Sequence, residues 1–187
     1  MSEATASLAV SAELTKIRRL EALEQLYEQF SDRIYAHAYR LLGNHHDAED
    51  VTQETFLRAF RSVDQLRRED RLASWLYSIA SNLCLDHIRR RRRLWWLPLP
   101  EREDNAVVTA TDGVSSVEDN DLVRRALRAL SPKDALCLVL RTAEGFSCSE
   151  VAEIMGCSES AIWSRLARAR AAFAEAYERV ARDAEES

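Results

Sequence analysis

The sequence predicts an all-α protein made of two small helical domains joined by an extended acidic linker. Two observations carry this expectation. Apolar residues recur at steps of three and four through several long stretches, which is the repeat of an amphipathic helix. Only 4 of the 187 residues are Gly and 3 are Pro, which favours long helices over many tight turns. A chain of this length can bury one sizeable core or two small ones.

The elements follow in order. Residues 22–42 carry apolar side chains at Leu23, Leu26, Tyr27, Phe30, Ile34, Ala38, Leu41 and Leu42, and Gly43-Asn44 ends that helix. The next helix is expected to begin near Asp47, with Asp47, Glu49 and Asp50 in a first turn where the helix dipole favours acids. Within "DAEDVTQETFLRAF", Ala48, Val51, Phe56, Ala59 and Phe60 line one side. Asp50, Gln53, Glu54 and Arg58 share much of the other, and so ordered a polar set suggests a partner. After a polar bend, "DQLRREDR", comes a long helix with Leu72, Trp75, Leu76, Ile79, Ala80, Leu83 and Ile88 on its apolar stripe. It runs into five consecutive arginines, Arg89 to Arg93, and closes a first domain over residues 1–95.

Residues 96–119 lack periodicity and hold two of the three prolines, so they are expected to form the linker. The second domain spans residues 120–187. Leu122, Val123, Ala126, Leu127 and Leu130 mark its first helix, and Ser131-Pro132 opens another that ends before Gly145. Ser147 and Glu150 have capping-box spacing, Gly156 supplies a left-handed stop after two turns, and Ser158 caps the next helix. That last helix repeats Ile162, Leu166, Ala169 and Phe173, and bears Arg165, Arg168 and Arg170. A short helix, a tight turn and a longer basic helix make a helix-turn-helix. An ordinary helical hairpin has the same outline, but the arginine-bearing outer face favours DNA.

The formal net charge of −5 hides an ordered pattern. The chain reads as basic, acidic, basic, with seven acids in "EREDNAVVTATDGVSSVEDND" between the two arginine groups. No apolar run approaches the roughly 20 residues of a membrane span, and the N-terminus lacks a basic start followed by an apolar block. A cytoplasmic protein without membrane insertion is expected. Cys84, Cys137, Cys148 and Cys157 form no C-x-x-C pair and are expected as reduced, buried, small apolar side chains. His37, His45, His46 and His87 form no metal-ligand set and are expected to be structural or solvated. Nothing in the pattern suggests a catalytic triad, metal cage or phosphate loop, so no enzyme, cofactor or metal is expected.

Three segments in this order resemble the small extracytoplasmic-function (ECF) sigma factors of bacterial RNA polymerase. "RLLGNHHDAEDVTQETFLRAF" is similar to that family's core-binding segment, and "SWLYSIASNLCLDHIRRRRR" to its promoter-melting and −10-reading helix. "EGFSCSEVAEIMGCSESAIWSRLARAR" is similar to its −35-reading helix-turn-helix. The resemblance implies a non-enzymatic specificity subunit that binds core polymerase, reads −35 and −10 promoter elements and assists melting. It implies docking on the β′ clamp helices by Asp50, Gln53 and Glu54 with Phe56 and Leu57 beside them, together with the β subunit as a partner. Phe56 is equally open to a place in the core.

On the second segment, Ser78, Asn82, Asp86, Arg89 and Arg93 share a face, with Arg90 beside them. Arginines there would hold phosphates while Asn82 and Asp86 address bases or sugars. The loop from Leu66 to Arg71 would capture unpaired bases, whereas Trp75 lies on the apolar stripe. On the third, Ser158, Glu159, Ser160, Trp163, Ser164, Arg165 and Arg168 would face the major groove. Trp163 stands where the family often has a basic residue, and either reading DNA or packing against protein is open to it. Trp95 and Trp96 have no obvious core to join, which favours a partner surface. The linker acids either mimic nucleic acid in a basic channel or form a solvated tether.

The resemblance also implies an anti-sigma factor as a partner. A tether of about two dozen residues is expected to leave the spacing of the DNA-facing helices undefined in the free chain. The alternative is a stand-alone helix-turn-helix transcriptional regulator, which gives the polar face of Asp47 to Phe60 no task.

Overall fold

The computed structural model describes residues 24–62, 71–94 and 117–185, which form seven helices and, among the described residues, no strand. Helix α1 covers residues 24–42 and buries Leu26, Phe30, Ile34, Ala38 and Leu42 in a single stripe. It stops at Gly43, whose φ of 65° suits glycine and strains other residues. The Arg128 guanidinium lies against this glycine, so a Cβ there would also collide.

Helix α2, His45–Ser62, begins two residues before the expected Asp47, because the Asn44 side chain accepts the Asp47 amide at 2.9 Å and caps it. Only Asp47, of the three acids expected there, falls in the first turn. Ala48, Val51, Phe56 and Ala59 are buried as expected. Thr52 and Thr55 join them because each hydroxyl is satisfied by a carbonyl four residues back, at 2.7 and 2.6 Å. Phe60 departs from the expectation and is 39% exposed. One residue past Ala59, it is rotated about 100° around the helix and leaves the buried stripe.

Helix α3, Leu72–Leu94, packs on α2 and buries Leu76, Tyr77, Ala80, Ser81, Leu83 and Cys84. Trp75 is half-buried against the core, as its place on the stripe predicts. The bend before α3 lies outside the described residues apart from Arg71.

Helix α4, Val117–Ala129, starts inside the stretch expected as linker, so residues 117–119 are helical. The apolar repeat begins only at Leu122, and a polar first turn gives periodicity nothing to register. Helix α5, Pro132–Thr142, has the expected Ser131 cap and proline start. Helix α6, Cys148–Met155, has both halves of the Ser147–Glu150 capping box. The Ser147 hydroxyl, at 2.7 Å, and the Ser147 backbone N–H, at 2.8 Å, both donate to Glu150 Oε2 and hold that carboxyl below its usual range. Gly156, at φ 63°, closes α6, with Gly156 N–H donating to Glu153 O at 3.2 Å and Cys157 N–H to Ala152 O at 3.0 Å. Helix α7, Glu159–Glu185, follows a Ser158 cap and buries Ile162, Leu166, Ala169, Ala176 and Val180.

Helices α4, α5 and α6 all pack on α7, and α5 and α6 also pack on α3. One apolar cluster therefore runs from Leu26 and Tyr77 in the first half to Leu136, Phe146 and Ala176 in the second. This overturns the expectation of an undefined spacing. Helical periodicity locates an apolar face but not the surface that covers it, and here α3 and α6 cover each other. Cys84, Cys137 and Cys148 are buried as expected, and burial pushes the Cys84 thiol up to about 12 and that of Cys137 up to about 11. Cys157 is exposed, contrary to expectation, because it sits in the turn just after Gly156.

Candidate functional site

Three polar faces emerge from this scaffold. On α2, Asp50, Gln53 and Leu57 are exposed, and Glu54 is partly exposed in a 2.7 Å pair with Arg58. Phe56, open in the sequence to either this face or the core, is a core residue at 6% exposure, its ring 4.9 Å from that of Tyr27. The apolar part of the surface comes from Leu57, expected there, and from Tyr27 and Phe60, which the sequence pattern placed on apolar stripes. Tyr27 and Leu57 are each half exposed, and Phe60 stands one turn beyond Leu57.

On α3, Asn82, Asp86, Arg89 and Arg90 are exposed. Asp86 accepts from Arg89 Nη1 at 2.9 Å, and both side chains are more than half exposed. Ser78, expected on this face, is instead half-buried, and its hydroxyl donates to Trp75 O at 2.7 Å. The side chain of Arg93 and all of Trp95 and Trp96 lie outside the described residues, as does the loop Leu66 to Asp70. A cleft of about 290 Å³ joins the α2 and α3 faces, lined by Asp50, Glu54 and Arg58 on one wall and Asp86, His87 and Arg90 on the other. Two sets of residues separated in sequence thus share one surface.

On α7, Ser158, Glu159, Ser160, Trp163, Ser164 and Arg168 are exposed together at the N-terminal end. Trp163 is 57% exposed and directs its indole N–H at Glu159 Oε1, 3.4 Å away, so packing within this domain does not explain it. Ser164 donates to Ser160 O at 3.1 Å. Arg165 differs from its neighbours. It is half-buried, with Nη1 donating to Asp134 Oδ1 at 2.9 Å, and Arg168 Nη2 lies 3.8 Å from the same oxygen. Asp134 was not foreseen as part of this site. Its signal is the helix-opening "SPKD", whose acid at the first turn of α5 also accepts the Ser131 hydroxyl at 2.7 Å.

A fourth polar centre lies between the halves, and no sequence motif announced it. Glu144, in the loop after α5, accepts hydrogen bonds from Arg40 Nη1 at 2.9 Å and the Tyr77 hydroxyl at 2.7 Å. The His37 Nδ1 atom is 3.5 Å from Glu144 Oε1, while His37 Nε2 meets Ser81 Oγ at 3.2 Å. His37 and Tyr77 are completely buried and the Glu144 side chain is 5% exposed. Burial raises the Glu144 carboxyl, but His37, Tyr77 and Arg40 outweigh it and hold the group below its usual range. Burial and the Glu144 carboxylate raise the Tyr77 phenol above its usual range, even with Arg33 over the ring.

The chain matches two family patterns, Sigma-70 region 2 over residues 26–94 and Sigma-70, region 4 over residues 120–173. It is 39% identical over 150 residues to the ECF RNA polymerase sigma factor SigE of Mycolicibacterium smegmatis, covering 79% of this chain and 58% of that one. It is 31% identical over 153 residues to SigM of Mycobacterium tuberculosis, covering 82% of this chain and 76% of SigM. The chain belongs to the ECF sigma factors. It spans little more than half of SigE's length but most of SigM's. Among solved structures, the sigma factor RpoE from Bartonella quintana, co-crystallised with the anti-sigma factor NepR, superposes with a TM-score of 0.71 at 28% identity. That match covers 84% of this sigma factor and 98% of RpoE. Among the described residues no helix is long and apolar enough to cross a membrane.

Proposed function

We propose that this sigma factor is a promoter-specificity subunit: it binds core RNA polymerase, directs it to promoters with defined −35 and −10 elements, and assists melting. It works in the cytoplasm and performs no catalysis itself. Residues 1–95 carry core docking and −10 recognition, 120–187 carry −35 recognition, and an intervening segment joins them. The observation that carries this reading is the coexistence of three solvent-facing sets on three separate helices. A lone DNA-binding regulator needs only the α7 set.

Asp50, Gln53 and Glu54 supply carboxylates and an amide for charge-assisted hydrogen bonds, and exposed Leu57 adds apolar contact. Arg89 and Arg90 neutralise phosphates, and Asn82 offers a donor and an acceptor to an unpaired base. Each base taken from the stack costs a few kcal/mol, offset by these contacts. On α7, Glu159 can accept from cytosine, Arg168 can meet guanine or phosphate, and Trp163 can cover a thymine methyl. Arg165 must leave Asp134 before it can do either. An anti-sigma factor is a further partner, supported by the superposition on RpoE, which was crystallised with one.

Core polymerase mixed with this protein and fragmented genomic DNA, followed by sequencing of transcript starts, tests the proposal. Initiation clustered at starts with shared upstream elements is expected. Transcripts no different from those of core alone would sink it.

A further inference from the structure

The centre around Glu144 joins two halves that must act at separate places on DNA. We propose that Arg40, His37 and Tyr77 form a carboxylate-receiving site on the first domain, filled in the free chain by Glu144 of the second, and that this docking keeps the chain closed and unable to engage a promoter.

The site is built on both sides of the interface. His37 and Arg40 project from α1 one turn apart, and Tyr77 comes from α3. Two of the three are fully buried, so a carboxylate arriving there exchanges water for two hydrogen bonds, from Arg40 and Tyr77, with His37 Nδ1 3.5 Å away. Glu144 is presented by a well-bonded loop: the amides of Ala143 and Glu144 donate to Val139 O at 2.9 and 3.1 Å, and that of Phe146 to Leu140 O at 3.1 Å. Gly145, at φ 78°, lets the chain turn between Glu144 and Phe146. The Phe146 ring then meets the Tyr77 ring edge-on, with centroids 4.8 Å apart. Contacts at the rim reinforce the dock. Arg71 pairs with Glu153 at 3.1 Å, Arg128 donates to Gly43 O at 3.0 Å, and Arg124 bonds the Tyr39 hydroxyl with its guanidinium 5.3 Å above that ring.

The consequence rests on the promoter-reading function proposed above. Helices α3 and α7 both pack on α6. At ordinary interhelical spacings their axes lie within roughly 20 Å of each other. Elements near −35 and −10 are about 25 base pairs apart, or roughly 80 Å along a straight duplex. The closed chain cannot span that distance, so productive binding to core requires Glu144 to leave its site.

Small-angle scattering on the full-length protein tests the latch without polymerase or DNA. Glu144→Ala is expected to raise the radius of gyration by roughly a quarter over wild type, as two compact bodies separate. Arg40→Gln, altered on the opposite domain at a partly exposed position, is expected to shift it in the same direction. Circular dichroism identifies any variant whose rise comes from lost helix. If both variants keep wild-type helicity and the wild-type radius of gyration, the latch is wrong. An open Glu144→Ala protein that gives no selective transcription with core would instead count against the promoter-reading function and leave the latch standing.

Discussion

The Tyr77 hydroxyl donates a hydrogen bond to Glu144 Oε2 at 2.7 Å, joining α3 to the loop after α5 across 67 residues of chain. It favours the ionised form of Glu144 in the closed protein, together with the Arg40 hydrogen bond and the His37 ring 3.5 Å away, both from α1.

The sign of the resulting pH dependence follows from that depression. A carboxyl held below its usual value binds fewer protons in the closed form than in the open one. Its contribution to closure is complete above the ordinary carboxylate value of 4.5 and is lost as pH falls through the lower value of the closed form. Acidification into that range is therefore expected to open the chain before its helices melt. Scattering followed from pH 7 downwards checks this, with Glu144→Gln as the reference that lacks the dependence. An identical acid-induced expansion in both proteins would assign the transition to other groups.

Docking on core should depend on the α2 face. Reversing Asp50 and Glu54 together to Lys is expected to weaken core binding, each lost charge-assisted contact costing about 1.5–3 kcal/mol. The fold should tolerate the change, because the exposed Glu54–Arg58 pair contributes only about 0.3–0.5 kcal/mol. Leu57→Ala should weaken binding without altering the melting temperature, while Phe56→Ala should destabilise the first domain by about 3–5 kcal/mol. Titration of labelled protein with core gives the affinities. Wild-type affinity in the double reversal would remove α2 from the interface.

Sequence periodicity recovered most of the helices and the helix-turn-helix, because caps and apolar steps are local signals. Ser131, Ser147 and Gly156 each act where their residue type and neighbours predict. It failed where the deciding partner is distant in the chain. The buried His37 and Glu144 lie 107 positions apart, and nothing local to either names the other. Phe56 and Phe60 show the same limit within one helix. Both are aromatic at plausible stripe positions, but only packing against Tyr27 shows that the first is core. The exposed residues proposed to meet DNA were legible as types and positions, but whether each was free to act was not.

Arg165 and Trp163 show that difference most sharply, and they give opposite expectations. Arg165 reaches back to Asp134 at 2.9 Å, and its Nε is buried without a hydrogen-bond partner. Truncating it removes a charge-assisted bond between α5 and α7. Arg165→Ala should therefore cost the second domain about 1.5–3 kcal/mol and lower affinity for all duplexes alike. Asp134→Ala should destabilise similarly and also release Arg165 towards DNA, so it should raise non-specific duplex affinity. Trp163 is exposed and holds no packing, so Trp163→Ala should change stability by no more than about 0.5 kcal/mol. Its effect should instead appear in promoter choice, as reduced discrimination at the base pairs beneath it. Thermal melts paired with binding of the core-bound protein to a panel of single-base promoter variants separate these outcomes. If Arg165→Ala relaxes selectivity at one base pair while leaving the melt unchanged, then Arg165 reads DNA directly and its bond to Asp134 is incidental.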